Sequence, residues 1–294
     1  MDQNKLKWLY LLVLSLVWGS SFILMKKALI GLTALEMGAL RILISAVFLF
    51  MVGFKSLRNI STADWKWVIV TAFLGTFFPV FLFAFAETQI DSAIASILNS
   101  TTPLLTLIFG IFLFGMGILR NQVLGVVLGL LGTLALVLLG AAINPDQNYF
   151  YAGLVLLASV GYAINVNIIK RNLQHVSAIA ITVGNFAVIV VPTIFILLFT
   201  GYFEKPFATD TVLLQSAGYV AILAILGTAL AKVLFNKLVQ ISNPVFSSSV
   251  TYVIPIVALT WGLLDGEKFH WMQGVATVLI LFGVFLVNSG GNKS

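Results

Sequence analysis

Three polar residues spaced by four, Thr228, Lys232 and Asn236, interrupt an apolar run from Val212 to Val239. Residues four apart in a helix fall near one face. An ammonium with three donors, flanked by a hydroxyl and an amide, suits the holding of a carboxylate or other anionic group. A charged side chain inside a membrane-length run is costly and by default faces a bundle interior, a watery cavity or a partner. The competing reading is structural. Lys232 precedes Ser242 by about 15 Å of helix, within range of a snorkelling stem.

Other polar and aromatic groups have the spacing of cavity walls. Trp18 and Ser21 lie three apart in one apolar run, as do Tyr162 and Asn165 in another, and an aromatic beside a small polar group suits a mostly apolar metabolite site. Asn99 and Tyr252 carry polar groups large enough to need partners. Asn99 and Thr102 correspond by an internal repeat offset of 152 to Thr251 and Ile254, and most of the serines around them fit close helix packing better than binding. Pro103, Pro255 and Pro79 are candidate kink or gating positions, since a proline inside a helix frees a backbone carbonyl. Glu87, near a helix end, is a candidate proton-coupling carboxylate. Glu36 and Arg41 are five apart and do not share a face, Lys26 and Lys27 read as an interfacial anchor, and Glu267 as the residue that orders the turn before the last helix. No span presents a Ser/His, paired-Asp or His/Glu set, so an enzyme is not expected. His175 and His270 fall in loops at opposite ends of the spans, so neither a metal site nor another cofactor is expected.

These residues sit in a chain of 294, of which 60% are hydrophobic and 9% charged. That is too little polar surface for a soluble globule. Ten apolar runs near the roughly 20 residues that cross a bilayer predict helices over Lys7–Leu29, Thr33–Phe54, Trp65–Glu87, Ser92–Gly115, Asn121–Ala141, Tyr149–Ile169, Ser177–Thr200, Val212–Val239, Pro244–Leu264 and Trp271–Asn288. The fold class is therefore an all-α integral membrane protein. Lys5 and Lys7 before Leu9–Val17 have the look of a leader with Gly19-Ser20-Ser21 as a cleavage site, but Phe22 to Met25 extend the run to spanning length. The net charge of +6 is scattered between spans rather than clustered, which excludes a nucleic-acid footprint. Cysteine is absent, and with it disulfides and thiolate chemistry. With the N-terminus inside, one side holds Lys5, Lys7, Lys55, Arg58, Lys66, Arg120, Lys170, Arg171, Lys237 and Lys293, and the other only Lys26, Lys27, Lys205 and Lys268. Both termini are then cytoplasmic, in a cell membrane. The expected partners are a small-molecule substrate and lipid; a monomer is compatible with everything in the chain.

The chain repeats itself. At an offset of 152, Gly75-Thr76 meets Gly227-Thr228, Asp91-Ser92 meets Asn243-Pro244, and Pro103 meets Pro255, while Lys232 stands where the first copy has Val80. Thr33 meets Ser177 at 144, and Gln122 meets Gln273 at 151. The division falls as residues 1–142 and 143–294. Five spans per copy put the second copy in the opposite orientation, the inverted-repeat plan that places a binding site at the repeat interface near the midplane.

Val17-Trp18-Gly19-Ser20-Ser21-Phe22, the Pro103 and Pro255 helices, and Leu264-Asp265-Gly266-Glu267 followed by Gly283-Val284 together resemble the EamA-like branch of the drug/metabolite transporter superfamily. The resemblance spans almost the whole chain and implies a ten-helix carrier, a basket whose central cavity is lined mainly by helices 1, 3, 4, 6, 8 and 9 and opens alternately to either side. Two departures stand out. The sixth helix lacks the tryptophan expected near Val160, and the eighth carries Lys232 where a small or apolar residue is usual. A carrier of small organic metabolites, amino acids or related carboxylates, is the expectation; an intramembrane enzyme, or a non-selective channel or scaffold without carrier activity, is the alternative.

Overall fold

In the computed structural model, residues 3–117, 119–143, 146–207 and 209–289 are described. Asn144 and Pro145, at the junction of the two copies, and the tail with Lys293, lie outside them. Among the described residues there are only helices and their connections, and nine segments are long and apolar enough to cross a membrane. They are α1 (Asn4–Ala28), α2 (Ala34–Asn59), α3 (Thr62–Ala86), α4 (Ser92–Phe114), α5 (Arg120–Leu139), α6 (Tyr149–Asn172), α7 (Ala178–Phe199), α8 (Thr211–Ile241) and α9 (Pro244–Leu264). The last helix, α10 (Trp271–Ser289), is apolar over Trp271–Val287 and shorter than the others. α1 runs unbroken through Gly19-Ser20-Ser21, and Phe22 and Met25 are buried in the core.

The repeat is visible in how the helices begin. Thr33 accepts from the N–H of Glu36, and Ser177 from that of Ala180, so the residues paired at offset 144 are both N-caps. Gln122 Oε1 accepts from the N–H of Leu119 at 2.9 Å, and Gln273 Oε1 from that of His270 at 2.9 Å, the same reach-back at offset 151. Asn243 caps α9 through the N–H of Phe246 at 2.7 Å. Its twin Asp91 makes no such bond to α4 and instead accepts from Gln147 Nε2 at 2.5 Å.

The irregularities repeat as well. α3 widens to a π segment at Phe73–Phe77 and α8 at Leu223–Leu230, so Gly75-Thr76 and Gly227-Thr228 occupy matching bulges. Such bulges recur at functional sites because they alter the angle at which side chains and carbonyls leave the helix. α4 and α9, expected as continuous helices, break at Ser100-Thr101 and over Ser249–Val253, and Pro103 and Pro255 open their second segments. Proline is tolerated at a first turn, where its missing N–H has no helical acceptor. Pro79 likewise falls in the first turn after the α3 bulge.

The halves interlock. α1 packs against α8 and α9, and its counterpart α6 packs against α3 and α4. α2 lies along α7, and α5 along α10. The α5–α10 crossing is close: a Cβ on Gly283 would collide with the backbone of Gly125 and Gly129, the small-residue contact that membrane helices use in place of a hydrophobic driving force. Many large apolar side chains, such as Phe112, Leu138, Phe199 and Leu264, point outward. That surface suits acyl chains.

Candidate functional site

The interlock leaves a cavity in the middle, with about 880 Å³ of atom-free space including the open solvent at its mouth. Its wall comes from α1, α3, α4, α6, α8 and α9, with Arg41 added from α2. Trp18, Ser21, Asn99, Thr102, Tyr162, Asn165, Thr228 and Lys232 all border it.

Lys232 does not snorkel. It is buried at 8% exposure, and its ammonium donates to the carbonyl oxygen of Gly75, inside the α3 bulge. The matching carbonyl in the other half, Gly227 O, accepts from Trp18 Nε1 at 2.9 Å. The two bulges are thus tied across the repeat interface by an amine on one side and an indole on the other. Trp18 also packs on Phe235, with ring centroids 5.0 Å apart, and Tyr162 stacks on Phe83 at 6.1 Å. Ser21 turns its hydroxyl to Val17 O at 2.8 Å, so it contributes a satisfied polar surface. Asn99 accepts from Thr102 Oγ1 at 3.3 Å, bridging the α4 break. Asn165 lies against Gly75, where a Cβ would overlap its amide, and its Oδ1 has no partner. Thr76 Oγ1 is buried without a partner too.

Two expected wall residues face elsewhere. Asn236 is fully buried and donates to Thr182 Oγ1 at 2.9 Å, toward α7. Four residues advance a helix by about 40° beyond one full turn, so two such steps carry Asn236 roughly 80° from Thr228 and off the cavity. Tyr252, at the end of the 3-10 segment in α9, donates its hydroxyl to Val284 O at 2.7 Å and faces α10, leaving Thr251 on the wall.

Arg41 is the wall residue that the spacing argument missed. Its Nε donates to Thr228 Oγ1 at 2.6 Å and its Nη1 lies 3.3 Å from Met25 Sδ. The signal was a lone arginine in an apolar run. On insertion scales a centrally placed Arg or Lys costs about 2.5–3.5 kcal/mol, so two cations at one cavity set a large penalty against any purely structural use. Glu36, by contrast, stays at the helix end, where it completes the Thr33 cap and pairs with Lys205 at 2.6 Å.

An ionic latch joins the ends of α1 and α4 to the α9–α10 turn, next to Met25 on the cavity wall. Gly266 adopts φ 88°, which glycine reaches without a Cβ clash, and the turn sends Glu267 back toward the bundle. Glu267 Oε1 accepts from Ser92 N at 3.2 Å, Ser92 Oγ at 2.7 Å and Lys26 Nζ at 2.9 Å, and Oε2 from Ala93 N at 3.1 Å. It therefore supplies the cap that Asp91 withholds from α4, with its charge on the positive end of that helix. Asp265 binds both Lys26, at 3.0 Å, and Lys27. The residues expected as a surface anchor and a turn former instead join α1, α4 and the α9–α10 turn, elements of both halves. Glu87 lies near this latch, buried, with neither carboxylate oxygen bonded. His175 pairs with Asp64 at 3.0 Å near the other end of α3, and among the described residues no cluster of three or more potential ligands could hold a metal.

A bundle of membrane-length helices in two interlocked copies, with a cavity between them, is the build of a multi-pass transport protein. The chain belongs to the EamA-like transporter family, which it matches over residues 6–138 and again over 150–289. It is 28% identical to the uncharacterized inner membrane transporter YedA of Escherichia coli K12, covering 95% of this chain and 90% of that one. It is 27% identical to the uncharacterized transporter YetK of Bacillus subtilis 168 (91% and 82% covered) and 25% identical to protein PecM of Dickeya dadantii (92% and 88%). A solved crystal structure shares the fold with a TM-score of 0.67 at 18% identity, over 97% of each chain.

Proposed function

We propose that this chain is a secondary transporter of small organic metabolites, amino acids or related carboxylates, working by alternating access. Ten spans form two inverted five-helix repeats, residues 1–142 and 143–294, in a cell membrane with both termini cytoplasmic. The excess of Lys and Arg on one set of connections supports that orientation, and the similarity to an inner membrane transporter of Escherichia coli supports a bacterial inner membrane.

The observation that carries the reading is the cavity's ownership. Neither half encloses it alone, because the first helix of each copy closes against the third and fourth of the other. A relative movement of the halves therefore opens and closes the site, the behaviour expected of inverted repeats. Lys232 supplies the anion contact. Glu87, buried and unbonded, is the candidate coupling carboxylate.

Counterflow in proteoliposomes tests the proposal. A carrier takes up labelled solute faster when the lumen holds unlabelled solute. Uptake indifferent to the trans side indicates a channel, and chemical conversion of the solute an enzyme; either result removes the proposal. A Glu87→Gln carrier that keeps a proton-gradient response equal to the unmodified protein's removes Glu87 from coupling.

A further inference from the structure

Basic side chains enter the cavity wall from two directions and acidic ones from none. Arg41 enters from α2 and Lys232 from α8, and among the described residues no Asp or Glu borders the cavity. Glu267 is occupied by Lys26, Ser92 and Ala93. Glu87 is close enough to act on Arg41 electrostatically, but neither of its oxygens reaches a donor and it is not part of the wall. The two basic groups are held near each other by α8 itself: Thr228, which grips Arg41, precedes Lys232 by one turn, about 6 Å of rise.

Beside them, two polar atoms lack partners. Thr76 is 2% exposed and Asn165 is 1% exposed, both border the cavity, and Thr76 Oγ1 and Asn165 Oδ1 make no hydrogen bond. Buried polar groups are normally satisfied, so a wall that leaves a hydroxyl and an amide oxygen idle beside two basic groups is shaped for a molecule that bonds to all of them. The remainder of the wall is apolar and aromatic, with Phe22, Phe83 and Phe235 prominent.

We propose that the substrate is a net-negative organic acid with an apolar body, a 2-hydroxy acid in particular, and that the amino acid of the same skeleton is strongly disfavoured. The inference rests on the transporter reading and narrows its substrate class. The carboxylate pairs with Arg41 and Lys232. The 2-hydroxyl donates to Asn165 Oδ1 and accepts from Thr76. An α-ammonium would make the same bond to Asn165, but at the cost of adding a positive charge beside the buried Arg41 guanidinium and Lys232 amine, with no carboxylate on the wall to offset it.

The test uses two matched series on the purified, detergent-solubilised full chain: 2-hydroxy-4-methylpentanoate, leucine and 3-methylbutylamine; and 3-phenyllactate, phenylalanine and phenethylamine. Titration calorimetry should give the hydroxy acid of at least one series a Kd lower than its amino acid by about tenfold or more, with no heat from either amine. Arg41→Gln and Lys232→Gln should each bring that ratio close to one, whereas Arg41→Lys keeps the preference and guards against a folding defect. An amino acid that binds as tightly as its hydroxy acid overturns the proposal, as does the absence of binding by both hydroxy acids, or an unchanged ratio in a folded Arg41→Gln variant. Counterflow separates this from the broader reading. Exchange of the amino acids with none of the hydroxy acids sinks the substrate class and leaves the carrier, while selective binding of a hydroxy acid without exchange sinks the carrier and leaves the class.

Discussion

Replacing Glu267 with glutamine should release the latch between α1, α4 and the α9–α10 turn. The carboxylate accepts four bonds through two oxygens, from Lys26, from the hydroxyl and N–H of Ser92, and from the N–H of Ala93. Glutamine keeps one acceptor oxygen and turns an NH₂ toward one of those donors. A hydrogen bond to a charged group contributes about 1.5–3 kcal/mol, and because Lys26 is one-third exposed the loss here is discounted to about 1–2 kcal/mol. That is a factor of roughly 5–30 in the balance between latched and unlatched states. Since the chain has no cysteine, a single Met25→Cys substitution on the cavity wall next to the latch reports opening without background. In detergent, maleimide should label Met25→Cys faster by that factor when Glu267→Gln is added. Equal labelling rates in two folded proteins would refute the latch. Glu267→Ala, which leaves Lys26 its bond to Asp265 but orphans the α4 N–H groups, should cost about 1–3 kcal/mol for each buried donor left unpaired and lower the melting temperature visibly.

Three further outcomes follow from neighbouring contacts. Gly262 makes room for Glu267 Oε2, so Gly262→Ala should raise the Met25→Cys labelling rate as Glu267→Gln does, with no charge removed. Burial raises the cost of ionising Asp265, but hydrogen bonds from Lys27 and Lys26 outweigh it and hold the carboxyl below its ordinary value. A lowered folded pKa means that its contribution is complete above the ordinary pKa of about 3.9 and is lost only as pH falls through the lowered one. The Asp265 contribution, taken as the labelling-rate difference between the parent Met25→Cys protein and Asp265→Asn, should therefore stay flat between pH 8 and 5. A shrinking difference within that range would contradict the assignment. Gly75→Ala would drive a methyl into the Asn165 amide and should destabilise the protein by about 1–3 kcal/mol, read as a lower midpoint in thermal unfolding.

How much of this was legible in the chain depended on whether a feature is local. Thr33 and Ser177, or Gln122 and Gln273, could be matched from sequence because a cap is built within one turn, and the structure gives the members of each pair the same local bond. Lys232 was legible because an ammonium in an apolar run has few places to go. Asn236 was misplaced because four-residue spacing drifts around the helix, and Tyr252 because a 3-10 turn redirects its ring to α10. Arg41 and Glu267 acquired their roles from contacts 187 and 175 residues away in sequence, with Thr228 and Ser92, and nothing in their immediate neighbours encodes those distances. The paired bulges in α3 and α8 were hidden for the same reason, although the repeated Gly-Thr marked their place.

The two bulge carbonyls also bear on where this molecule rests when empty. A perfectly duplicated protein that exchanged the conformations of its halves would pass between two states of equal free energy. Here Gly75 O is held by an amine on a flexible four-carbon stem and Gly227 O by a rigid indole, and position 80, the counterpart of Lys232, is a valine that can hold nothing. Exchanging the halves cannot exchange these ties. If the halves exchange conformations, the two resting states are therefore unequal in free energy, and because both bonds are made in the conformation described here, substitution at Trp18 or at Lys232 should shift the unloaded protein away from it.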